Sequence, residues 1–155
     1  MNFDLSKYIK DDSERKPAPT VKELVLFNKW GKATLRLRET VLYDYKGRPR
    51  GFIVGTTVYD IRGEHRGFWH NLLVSDRMHR VIGYAFGANI KGLVLPPVEF
   101  PPLVYRDDPP PPVPAGLVEL ECPTFVAVWS MMQFENLLPS FYEEEPERTE
   151  EEENP

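Results

Sequence analysis

The sequence predicts an all-β fold: four β-hairpin repeats around a pseudo-four-fold axis, followed by a Pro-rich arm and a C-terminal strand with a short helix. Three observations lead there. The chain repeats itself with a period of 16 through residues 25–88. Each unit carries Asn or Asp three residues before a turn position that is Gly in three of the four. The residues flanking those turns are β-branched or aromatic, the composition of strands.

The units are VLFNKWGKATLRLRET (25–40), VLYDYKGRPRGFIVGT (41–56), TVYDIRGEHRGFWHNL (57–72) and LVSDRMHRVIGYAFGA (73–88), aligned without a gap. One column reads Phe27, Tyr43, Tyr59, Ser75 and the next Asn28, Asp44, Asp60, Asp76. Then come Gly31, Gly47, Gly63, His79. Later columns read Leu35, Gly51, Gly67, Gly83 and Arg36, Phe52, Phe68, Tyr84. An Asx carboxylate or amide can accept the backbone N–H two residues on, and Gly accepts positive φ, so each unit closes a tight hairpin. A period of 16 leaves about five residues per strand, an ordinary strand length. A lone hairpin is marginal in water, whereas four closed around an axis share a core and expose few edges. A glycine in mid-strand at Gly51, Gly67 and Gly83 implies close approach near a crowded axis, with the neighbouring aromatic filling the space between hairpins.

This pattern resembles the four-fold β-flower family, small proteins of four hairpins arranged like petals. The resemblance is carried by Tyr-Asp-x-x-Gly-x-x-x-Gly-Phe at 43–52 and 59–68, with a degenerate copy at 75–84, and covers about residues 24–90. It implies a fold and supplies no catalytic residues. The first unit departs most, with Leu35 for Gly and Arg36 for the aromatic, and His79 replaces a turn glycine. Two other repeat classes are less apt: tyrosine-aspartate repeats of large secreted shells come in long arrays, and MORN repeats have a longer period.

The flanks divide the rest: an N-terminal extension (1–23), the four-hairpin domain (24–90), a Pro-rich arm (91–115), a packing or interface segment (116–142) and an acidic tail (143–155). The extension has Phe3, Leu5, Tyr8 and Ile9 for one or two amphipathic turns. Residues 96–114 hold nine of the 16 prolines. Such a stretch is extended and stiff, either a ligand for an aromatic groove or a strap over the flower. GLVELEC at 116–122 alternates as a half-buried strand does. Phe125–Trp129 fits a strand or a helix, and a short helix is expected over Ser130–Leu138, closed by Pro139. So much apolar surface either caps the flower or forms a subunit interface, with Phe125, Trp129, Met132 and Phe134 as its candidate residues. A flower this small has a thin core and needs such help. The glutamate-rich tail reads as disordered.

Charge is unevenly placed: net zero over residues 1–23, +7 over 24–91 and −12 over 92–155. Lys46 and Arg62 are equivalent in successive turns, as are Arg50 and Arg66; Lys32, Arg48 and Arg80 share another column, which Glu64 interrupts. A four-fold arrangement would set them in rings. Lys46, Arg48, Arg50, Arg62, His65, Arg66 and Arg80 are therefore the candidate contacts for a polyanion or a partner, with Arg36, Arg38, Trp30 and Tyr45 nearby.

Nothing here reads as an active site. The aspartates repeat one role, whereas catalysis needs distinct ones. His65 and His70, five apart, fall on opposite faces of a strand, and no zinc-type spacing occurs, so no metal and no cofactor are expected. His65 reads as a solvent-facing turn residue and His70 as partly buried. The single Cys122 excludes an internal disulfide, suits a reducing, cytoplasmic setting, and reads as inert core. The N-terminus has no apolar h-region, and no apolar run is long enough to span a membrane. The expected function is a non-enzymatic interaction or scaffold module with a protein partner or self-association. The alternative is a nucleic-acid binder masked by its own acidic tail. A ligand pocket at Phe52, Phe68 and Tyr84 stands as a remote third.

Overall fold

A computed structural model describes residues 23–104 and 106–141. The expected turns of residues 1–16 and the acidic tail lie outside them. Eight antiparallel strands form the four hairpins: β1 (Glu23–Asn28), β2 (Ala33–Arg38), β3 (Val41–Asp44), β4 (Pro49–Val54), β5 (Thr57–Asp60), β6 (His65–His70), β7 (Leu73–Asp76) and β8 (Arg80–Ala85). Each strand pairs with the next, and β8 pairs back with β1, closing a barrel.

The closure follows from the repeat. Between hairpins, Leu35 faces Asp44, Gly51 faces Asp60, Gly67 faces Asp76, and at the closing seam Gly83 faces Asn28. The same two columns meet at every seam, so the register that propagates the chain also closes it. Closure removes the exposed edges a flat eight-stranded sheet would carry. The expected fit of aromatics between hairpins holds: Phe52 faces Tyr59, and Tyr84 faces Phe27 with ring centroids 5.9 Å apart.

The turns form as their Asx residues dictate. Asp44 Oδ1 accepts the N–H of Lys46 and of Arg48, both at 2.9 Å. Asp60 Oδ1 accepts those of Arg62 and Glu64, Asp76 those of Met78 and Arg80, and Asn28 those of Trp30 and Lys32. His79 adopts φ +70°, so the fourth turn keeps the left-handed geometry of its glycine counterparts without a glycine.

Two apolar cores result. Inside the barrel, Leu26, Leu42, Val58 and Val74, one per hairpin, are at most 1% exposed. The next column inward is Leu35 with three glycines, which leaves a hollow. The C-terminal segment fills it: Phe134, Leu137 and Leu138 join this inner cluster. A β-carbon at Gly83 would stand 2.4 Å from the Phe134 ring, and one at Gly51 3.1 Å from Leu138 Cδ2. The glycines thus make room for a plug as well as for the neighbouring strand. Burying each plug side chain contributes about 2 kcal/mol. Outside the barrel, Phe27, Leu73, Val81 and Tyr84 are covered by Leu93, Leu95 and Val98 of the arm and by Phe125 and Trp129 of the segment after it.

Two expectations are corrected. The helix, α1, is one turn, Phe134–Leu137, rather than Ser130–Leu138. Residues 116–122 form no strand: Leu120 N donates to Thr57 Oγ1 of the barrel at 2.8 Å rather than to a ladder. The segment that Phe125–Trp129 left open resolves as strand β9 (Val126–Trp129), parallel to β8.

Candidate functional site

The surface that could meet a partner is the rim of turns and the arm wound around it. The arm touches the turns in chain order, its backbone contacts nine residues apart from the first turn to the second and eighteen from the second to the fourth, a mean step of nine per turn. Glu99 N donates to Gly31 O at 2.9 Å, Asp108 N to Gly47 O at 2.8 Å, and Val126 N to His79 O at 2.8 Å. Between them, Leu117 and Pro114 lie against Gly63. The arm is therefore a girdle, one step per hairpin. Its path needs bare turns: a β-carbon at Gly31 or Gly47 would lie 2.1 Å from the carbonyl oxygen of Pro97 or Arg106. Tyrosines of the repeat fasten it as well, Tyr84 Oη donating to Pro96 O at 2.6 Å and Tyr59 Oη to Val118 O.

The tightest fastening is at Arg36, where the other hairpins carry an aromatic. Arg36 is 5% exposed. Its Nη2 donates to Asp107 Oδ1 at 2.6 Å and to Asp44 O at 2.8 Å, and its Nη1 to Asp107 Oδ2 and Glu23 Oε1, each at 3.0 Å. Tyr43 and Tyr45 flank the guanidinium at 5.7 and 5.4 Å. Burial opposes its charge, but Asp107 and Glu23 outweigh that and raise the Arg36 pKa above its ordinary value. The hydrogen bonds from Arg36, against some loss of hydration, hold the Asp107 carboxyl below the usual carboxylate range. Arg38 adds a contact to Asp107 at 3.4 Å.

The basic rim is largely turned inward. Arg50 Nη1 meets Asp44 Oδ2 at 3.1 Å, and its Nε and Nη2 donate to Leu138 O, locking the end of the plug. Arg66 Nε meets Asp60 Oδ2 at 2.8 Å. In the fourth hairpin Ile82 replaces that arginine, and Ser130 Oγ takes Asp76 Oδ2 at 2.5 Å, with Arg80 Nε 3.5 Å away. Arg62 is exposed yet stacks over the Phe141 ring at 3.8 Å. Lys46 is exposed and Arg48 half-buried. The candidate rim residues therefore serve mainly as turn and plug fasteners.

The histidines exchange the expected roles. His65 is half-buried, its ring edge-on to Phe68 at 4.9 Å, with Nε2 3.0 Å from Gly67 O. Burial lowers its pKa, opposed by the Gly67 contact. It and His79 pack on Phe68 where Ser75 lacks the ring found in other hairpins. His70 is exposed, because it ends β6 at an inter-hairpin loop. Among the interface candidates, Phe125 and Trp129 are half-buried in the outer core, Met132 is 39% exposed, and Phe134 is 2% exposed inside the barrel. Phe52, Phe68 and Tyr84 are core residues at most 5% exposed.

A cavity of about 590 Å³ lies between two inter-hairpin loops and the girdle; His70, Asn71, Lys91, Glu121 and Cys122 line it. Cys122 is half-buried at that wall rather than core. An apolar groove of about 460 Å³ runs along the barrel's closing seam between Leu24, Val25, Phe27, Phe86, Val98 and Phe100. Among the described residues no group of three or more His, Cys, Asp or Glu is placed to hold a metal, and no helix is long and apolar enough to cross a membrane. The nine-residue girdle step escaped the sequence reading: it has no residue signature, only a spacing between backbone contacts.

No curated protein and no solved structure matches the chain. A family model described as 4-fold beta flower protein matches residues 25–138. The match runs past the hairpins through girdle and plug, so those parts belong to the family's unit too. With closed hairpins, girdle and plug all within that span, the chain belongs to the 4-fold beta flower family.

Proposed function

We propose that the chain is a non-enzymatic docking module, a subunit or adaptor in a protein assembly. The observation that carries this reading is what the end of the barrel and the girdle turn outward at the closing seam. Phe86 is 78% exposed and Phe100 96%, and both border the apolar groove of about 460 Å³. Leu103 and Val94 nearby in sequence are 83% and 88% exposed. A folded chain rarely presents such side chains beside a groove unless another surface covers them. Meanwhile the repeated carboxylates and arginines are engaged within turns, which favours contact over chemistry. The polyanion alternative gains nothing from this placement, since Arg50, Arg66 and Arg80 face aspartates.

The test is co-purification of the full chain beside a Phe86→Asp/Phe100→Asp variant, with light scattering on each. The wild type should enrich a partner or self-associate, and the variant should lose that while keeping its melting temperature. A monomeric wild type that enriches nothing refutes the proposal.

A further inference from the structure

A second surface of the girdle has a chemistry of its own. Between its contacts with the second and third turns the chain reads Arg106-Asp-Asp-Pro-Pro-Pro-Pro-Val-Pro114. Four successive prolines fix φ and favour the left-handed polyproline helix of about three residues per turn. From Pro109 to Pro114 burial follows that period, whereas before it Asp107 is half-buried and Asp108 exposed. Arg106, Pro109 and Pro112, three apart, are all exposed, whereas Pro111 and Pro114 are half-buried toward the barrel. Pro110 and Val113 are exposed as well, so two of the three edges are free.

The crest is also held at both ends. Asp107 is clamped by Arg36, and Asp108 N donates to Gly47 O. At the far end Pro114 rests on Gly63. A polyproline ligand already costs little order on binding, and one anchored at both ends costs less. With Asp107 engaged by Arg36, the outward edge offers one cation three residues before the first of two prolines themselves three apart, and the exposed Asp108 lies on a different edge.

We infer that residues 106–113 are a presented ligand for a domain with an aromatic-lined polyproline groove and an acidic pocket beside it, of the SH3 type. Aromatic slots take the Pro109 and Pro112 edge, and the acidic pocket takes Arg106. The inference shares with the docking reading only the premise of a protein partner. Its surface lies between the second and third turns, whereas Phe86 and Phe100 lie at the closing seam.

The experiment titrates the full chain into an isotope-labelled SH3 domain that recognises Arg-x-x-Pro-x-x-Pro peptides. Expected are chemical-shift changes confined to its aromatic groove. Arg106→Glu or Pro109→Ala/Pro112→Ala should weaken binding roughly tenfold or more. Pro101→Ala/Pro102→Ala and Phe86→Asp/Phe100→Asp should leave it unchanged. The full chain should bind more tightly than a free peptide of residues 104–115. No binding at about 1 mM, insensitivity to Arg106, or a free peptide that binds as well as the full chain overturns the inference. Because the seam variant is an internal control, loss of the docking reading leaves this result readable by itself.

Discussion

Replacing Asp107 by Ala tests whether the girdle is a structural part of the barrel or a strap laid over it. Asp107 and Arg36 are 11% and 6% exposed at their side chains, and the pair is bidentate at 2.6 and 3.0 Å. Without Asp107, the buried guanidinium keeps Asp44 O and the 40%-exposed Glu23. Removing one partner of a buried pair costs about 3 kcal/mol, because the remaining charge stays out of water. For a chain of this size that lowers the melting temperature by about 10 °C. Thermal unfolding by circular dichroism at pH 7 measures it. The double variant Arg36→Phe/Asp107→Leu, which copies the aromatic of the other hairpins, should recover most of the loss. The pH dependence follows from the lowered Asp107 pKa. Its stabilisation is present above the unfolded value, near 3.8, and is lost as pH falls through the lower folded value. The gap between wild type and Asp107→Ala should therefore close on acidification below about pH 4. A variant within about 2 °C of wild type at pH 7, or a gap that persists at the lowest pH at which both fold, refutes the reasoning.

Phe134→Ala should cost about 3 to 5 kcal/mol in urea denaturation, since it empties the hollow that Gly83 leaves; a loss below about 1 kcal/mol would mean the plug is not core. Gly47→Ala should cost about 2 kcal/mol, from its φ of +82° and from the Arg106 carbonyl pressed against that face. It should also speed hydrogen exchange at Asp108 N, and unchanged exchange would separate the girdle from the turn. The ring of His65 should titrate below 6.5 by NMR, because burial disfavours its cation. The stability due to its neutral form is present above about 6.5 and falls as pH drops through the His65 value. A midpoint at or above 6.5 contradicts its packing on Phe68.

Much of the barrel was legible because its determinants are local and said four times. The residues from Asp60 to Gly63 specify a turn by hydrogen bonds reaching no further than four residues, so they read in one dimension. The site was less legible. Arg50 and Arg66 have the spacing of a basic ring, yet each returns to the aspartate six residues before it. That return is set by the hairpin's bulge, which a list of charges does not reveal. Phe134 reads as interface for a similar reason: an apolar side chain in an expected short helix does not say which hollow it enters.

The sequence by itself determined the hairpins, their number and the register that lets β8 close on β1, because turn chemistry and a period of 16 act between near neighbours. Only the tertiary structure decided that the Pro-rich arm is a girdle with a nine-residue step, that residues 134–138 plug the barrel, and that Arg36 clamps Asp107. Those contacts join residues as far as 88 apart, as with Arg50 and Leu138. Their pairing depends on the curvature of the closed barrel, which does not exist until the hairpins have met.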